Sequence, residues 1–136
     1  MDKLESIRAR IDELDERIQE LINERAQCAH EIAEIKQSAG ADIAFYRPER
    51  EAQILRAVQS RNQGPLGGEA MARIFREIMS ACLALEQQLV IAYLGPEGTF
   101  TELAALKHFG SAIKTRPMPA IDEVFREVEA GAVSYG

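Results

Sequence analysis

The chain has 136 residues, 46% of them hydrophobic, and its 16 Lys and Arg stand against 22 Asp and Glu for a net charge of −6. That length suits one compact domain, or one small domain with part of another, and the apolar content excludes wholesale disorder. An acidic balance without a basic run argues against nucleic acid and anionic membrane surfaces as main partners, while a few local cations could still hold a small anionic ligand.

No apolar run approaches membrane-spanning length, and the N-terminal Met1-Asp2-Lys3-Leu4-Glu5 is charged, so a cytoplasmic protein is expected. Residues 3 to 38 contain neither Gly nor Pro. Their apolar positions Leu4, Ile7, Ile11, Leu14, Ile18, Leu21, Cys28, Ile32 and Ile35 recur at intervals of three and four, the pattern of a helical seam. The spacing predicts a helix about 50 Å long at 1.5 Å per residue. A monomer of this size cannot bury so long a stripe, so an oligomer is expected. Arg25 interrupts the seam where an apolar residue would stand.

Ser38 to Phe45, with Gly40, reads as a loop. Arg47-Pro48-Glu49 reads as a helix start, because proline in the first turn gives up no hydrogen bond. Ile54, Leu55 and Val58 mark this second helix to about Asn62, and Gly64-Pro65 with Gly67-Gly68 break it. A third helix is expected from about Glu69 to Leu89, with a stripe of Met71, Ile74, Phe75, Ile78, Cys82, Leu85 and Leu89.

The pattern changes at Val90. Val90 to Leu94 is β-prone and stops at Gly95-Pro96-Glu97-Gly98; Thr101 to Phe109 reads as helix, Ile113 to Met118 as strand, Ile121 to Ala130 as helix, and Ala132 to Tyr135 as β-like. Alternating β and α elements indicate an α/β unit, and about 46 residues are too few to complete one. The expected fold is therefore an all-α domain over residues 1–90, followed by an incomplete α/β segment over 91–136. Cys28 and Cys82 lack the spacing of a zinc site or a disulfide framework, and His30 and His108 read as surface or edge residues.

Three cations on the first helix invite a functional reading. Arg25 and Lys36 are eleven residues apart, so they share a face to within about 20° and lie about 16 Å apart along the axis. A small ligand could lie between their long side chains. Arg8 lies about 25 Å from Arg25, so it could serve the same pocket only from an antiparallel partner helix. Against this, arginine at a seam position often snorkels or pairs with a glutamate on a neighbouring helix. Glu51 lies on the stripe of Ile54, Leu55 and Val58 and could face inward, or it could serve as an ordinary first-turn acid beside Arg50. Cys82 and Glu86 are four apart on the inner face of helix three. A cysteine there is commonly core filler, and a glutamate near a helix C-terminus opposes the dipole.

These residues resemble a known family. Ile7-Arg8, Leu14-Asp15-Glu16-Arg17, Glu24-Arg25 and Ile35-Lys36 resemble the first helix of the all-helical chorismate mutases. Tyr46-Arg47-Pro48-Glu49-Arg50-Glu51 and Arg73-Ile74-Phe75-Arg76-Glu77-Ile78 resemble its second and third helices. Tyr93-Leu94-Gly95-Pro96-Glu97-Gly98-Thr99-Phe100 resembles the start of prephenate dehydratase. Together they resemble the bifunctional chorismate mutase–prephenate dehydratases of phenylalanine biosynthesis.

The resemblance implies an intertwined homodimer of three-helix chains, rearranging chorismate to prephenate without cofactor or metal. It implies that Arg25, with Arg8 from the partner chain, binds the two substrate carboxylates. It implies that Lys36 contacts a carboxylate and the ether oxygen, that Glu51 holds the ring hydroxyl, and that Arg50 lines the site. Cys82 stands where a small hydroxyl residue often occurs, and Glu86 where some members carry a glutamine that donates to the ether oxygen. For Glu86 to donate, it must be protonated. Arg47 falls near an acid of another member and is given no role. The dehydratase's Thr-Arg-Phe motif is absent, so dehydratase activity is not expected of residues 91–136. Competing readings are an isochorismate pyruvate-lyase on the same scaffold, and a non-catalytic dimerisation or effector-binding module.

Overall fold

The computed structural model describes residues 2–39, 47–86 and 90–136. Helix α1 runs Lys3–Ala39, unbroken as its lack of Gly and Pro predicts, and is about 55 Å long. It therefore continues through Ser38, the expected opening of a loop; the rest of that loop, including Gly40, lies outside the described residues. Helix α2 runs Pro48–Arg61 with proline in its first turn, and the Arg47 carbonyl accepts the Arg50 and Glu51 amides, both at 3.1 Å. Helix α3 runs Gly68–Glu86. Its expected last residues, among them Leu89, lie outside the described residues.

Helix α3 packs against both α1 and α2. Ala29 and Ala33, one turn apart on α1, are buried, and so are Ala72, Met79 and Cys82 on α3. The small side chains of Ala29 and Ala33 let α3 pack close to α1. Val58 anchors α2 at 2% exposure, and the Arg61 guanidinium lies 5.9 Å from the centre of the Phe75 ring. The stripe expected on α3 needs correction. Cys82 of that stripe is buried, but Ile74 and Leu85 are exposed, and the buried face also takes in Ala72, Met79 and Ser80. Helix α3 has neighbours on several sides, so a single 3–4 stripe does not describe its buried surface.

Every residue from Asp2 to Leu21 is exposed. The apolar stripe of α1 thus faces outward, from Leu4 at 56% to Leu21 at 59%.

The α/β segment consists of β1 (Val90–Leu94), α4 (Phe100–Phe109), β2 (Lys114–Met118) and α5 (Ile121–Glu129). Strand β1 begins one residue before the expected domain boundary. The strands are parallel, in register from Val90 opposite Lys114 to Leu94 opposite Met118. Tyr135 adds a parallel bridge to Ile91 on the other side of β1. Alternate residues of β1 face opposite ways. Ile91 packs with Ala105 of α4, and Ala92 packs with Met118 and Val133, beside Val124 of α5. Inside this unit the Glu102 carboxylate accepts the Tyr93 hydroxyl at 3.0 Å and the Gly98 amide at 2.9 Å. Burial, then that bond to Glu102, pushes the Tyr93 phenol up to about 12. Among the described residues, no helix is long and apolar enough to cross a membrane.

Candidate active site

A cavity of about 300 Å³ opens where the C-terminal half of α1 meets α2 and α3. From α1 it receives Arg25, Cys28, Ala29, Ile32 and Lys36. The helix start at Pro48 places Arg47, Arg50, Glu51 and Ile54 on the second wall. Met79, Cys82, Leu83 and Glu86 of α3 form the third. The eleven-residue step predicted that Arg25 and Lys36 share a face, and both side chains are half-buried on this wall.

The electrostatics favour an anion. Four cationic side chains, Arg25, Lys36, Arg47 and Arg50, line the cavity against two carboxyls, Glu51 and Glu86. Both carboxyls are raised above the ordinary glutamate range. Burial raises Glu51, with the charges of Arg25 and then Arg76 pulling the other way. Burial also raises Glu86, opposed by Lys36. An acid raised in this way keeps its proton to a higher pH and can donate a hydrogen bond. Guanidinium groups present paired donors that match a carboxylate, so this frame suits a small molecule with more than one negative charge.

Of the residues singled out in the sequence, Arg25, Lys36, Arg50, Glu51, Cys82 and Glu86 come together here. Arg8 does not. It is exposed on the outward half of α1, about 25 Å along the helix from Arg25. Cys82 is buried at 4% exposure, whereas Cys28 is exposed. His30 is exposed and lies 3.2 Å from Glu34, and His108 is exposed as well.

Sequence reasoning gave no role to Arg47 and overlooked Met79 and Leu83. Arg47 lines the cavity while its Nε donates to Glu49 at 3.1 Å. Its signal was present, since it stands three residues before the Arg50-Glu51 pair. Met79 and Leu83 carried no signal, because apolar residues at helical spacing read as core.

Comparisons with known proteins find matches for both parts of the chain. Residues 7–87 match the family described as Chorismate mutase type II, and residues 91–136 match Prephenate dehydratase. The chain is 60% identical to the bifunctional chorismate mutase/prephenate dehydratase of Stutzerimonas stutzeri and 62% identical to that of Pseudomonas aeruginosa. Each match takes in 99% of this chain but 38% of the relative, so the chain spans well under half the length of these proteins. Among solved structures, a chorismate mutase (Form II) from Thermus thermophilus superposes with a TM-score of 0.60 at 29% identity, over 63% of this chain and 96% of that one. The chorismate mutase from Helicobacter pylori in complex with prephenate gives 0.56 at 32% identity, over 62% of this chain and 89% of that one.

Proposed function

Because the chain belongs to the Chorismate mutase type II family, we propose that its cavity rearranges chorismate to prephenate, and that it does so as a homodimer. The observation that carries the proposal is the convergence of four cations and two raised carboxyls from three helices on one small cavity. A seam that served assembly alone would gain nothing from inward charges. We assign residues 1–90 to the mutase domain and residues 91–136 to a second, dehydratase-like unit, a division supported by the two family matches.

The reaction is a pericyclic rearrangement within one molecule, so its chemistry calls for no nucleophile, metal or general base. The protein must hold the substrate in its compact diaxial shape and stabilise the charge that develops as the C–O bond breaks. Arg25 binds one carboxylate through its planar fork, and Arg8 of a second copy binds the other. Lys36 contacts a carboxylate and meets the negative charge growing on the ether oxygen. Protonated Glu86 donates to that same oxygen. Glu51 holds the ring hydroxyl, Arg50 lines the site, and Cys82 packs near a carboxylate. Donors fixed in advance and aimed at developing charge contribute about 3–4 kcal/mol each.

The dimer is supported by the outward stripe of α1, whose Ile7, Ile11 and Ile18 are about half exposed in the single chain. An antiparallel partner helix would cover that stripe and carry Arg8 across to the neighbouring cavity.

The test is loss of chorismate absorbance with the purified chain, beside an Arg25→Ala control. Saturable loss with prephenate as product, abolished in the control, is the expected result. Salicylate and pyruvate formed when isochorismate is supplied in place of chorismate would establish a lyase, and no turnover of either from a folded dimer would favour a binding module.

A further inference from the structure

Helix α3 has a second working face. Met79, Cys82, Leu83 and Glu86 point into the cavity. About 140° round the helix, Glu77 and Ser80 meet the turn that joins α4 to β2. Both Glu77 carboxylate oxygens accept the Ser111 amide at 3.2 Å, and the Ser111 hydroxyl donates to the same carboxylate. The Ser80 hydroxyl, buried at 5% exposure, accepts the Ala112 amide at 3.2 Å. Gly110 sits at φ +82° with its backbone against Ser80, where any Cβ would overlap the serine Cβ and Oγ. Leu83 belongs to both faces: it lines the cavity and packs against the Ile91 and Ala105 cluster of the α/β unit.

We propose that the α/β unit braces the mutase cavity, with Glu77, Ser80 and Leu83 as positioning residues that hold the α3 wall through the turn at 110–112. This rests on the mutase reading of the cavity. Two hydrogen-bonded anchors one turn apart fix the rotation of α3 about its axis, and the rotation decides where Cys82 and Glu86 point. Placement errors of about 1 Å are costly in a site that works by orientation. Coupling of this kind is reciprocal, so a ligand in the cavity must tighten the seam by the same factor as the seam tightens the ligand.

Amide hydrogen exchange in the full chain, with and without saturating prephenate, tests this directly. The expected result is exchange slowed about five-fold or more at Ser111 and Ala112, the lower end of ordinary coupling. The Gly98 amide, held by Glu102 within the α/β unit, serves as the reference and is expected to stay unchanged. Protection of the cavity residues of α1 with no change at Ser111 and Ala112 overturns the brace. Equal slowing at all three amides signals general stabilisation and overturns it too. No protection anywhere overturns the mutase reading and the brace with it, so the two failures are distinguishable.

A second measurement uses kinetics. Glu77→Ala is expected to lower kcat about five-fold with KM for chorismate within about two-fold, because a misdirected Glu86 is felt in the transition state. Glu77→Gln, which still accepts the Ser111 amide, is expected to keep the parent kcat. A lower Tm in Glu77→Ala with kcat unchanged would make the seam purely structural and sink the proposal.

Discussion

Lys36 and Glu86 face one cavity from two different helices, and the lysine's charge opposes the rise that burial imposes on the Glu86 carboxyl. The balance leaves the carboxyl raised, so it holds its proton to a higher pH than an ordinary glutamate. As a donor to the ether oxygen, Glu86 is active when protonated. The rate is therefore expected to be full below its raised pKa and to fall as pH rises through it. A kcat profile that is flat between about pH 5 and 8 would remove Glu86 from that role. Glu86→Gln donates at every pH, and its profile is expected to flatten.

Arg25 is the cation that breaks the apolar seam of α1. Arg25→Ala is expected to lower kcat/KM about 10²-fold or more, the usual cost of removing one charged donor from a preorganised site. Arg25→Lys keeps the charge but loses the fork, and is expected to recover only part of that loss. A variant with unchanged kcat/KM would place the substrate elsewhere.

Arg8 offers a test of the assembly. Homodimers of Arg8→Ala and of Arg25→Ala are each expected to be nearly inactive. In a mixed dimer, one cavity keeps both arginines and the other loses both. Equal mixing with free exchange makes about half the dimers mixed, so activity is expected to return to about a quarter of the parent. If Arg8 worked only within its own chain, mixing would restore nothing.

Gly110 leaves no room for a side chain in the seam between α3 and the α/β unit. Gly110→Ala adds a methyl against Ser80 and forces a left-handed backbone on a residue that resists it. Chemical denaturation is expected to show a loss of about 1–3 kcal/mol. Unchanged stability would mean that the turn at 110–112 does not rest on α3.

Much of the site was legible because a helix without breakers has a fixed angular step. Once residues 3 to 38 read as one helix, the shared face of Arg25 and Lys36 followed from counting alone. Pro48 marked the start of α2, and Glu51, which the stripe of Ile54 and Val58 left as either an inward residue or a first-turn acid, lines the cavity. Leu83 and Ser80 were illegible for a physical reason. A stripe reveals that a helix is amphipathic, but not how many neighbours divide its circumference. Helix α3 serves α1, α2 and the α/β unit, so Ser80, which looked polar, is buried, while Ile74 and Leu85, which looked like core, are exposed in the single chain. Arg8 differs again: its distance from Arg25 could be counted, but the surface it meets cannot be read from one chain.

Leu83 answers to two cores at once. One side of it shapes a cavity for a charged guest, and the other fills a gap beneath a β-strand. A larger side chain there would crowd both, and a smaller one would loosen both. The sequence drift open to each unit is therefore narrowed by the other, and a change at Leu83 that suits one calls for a compensating change across the seam.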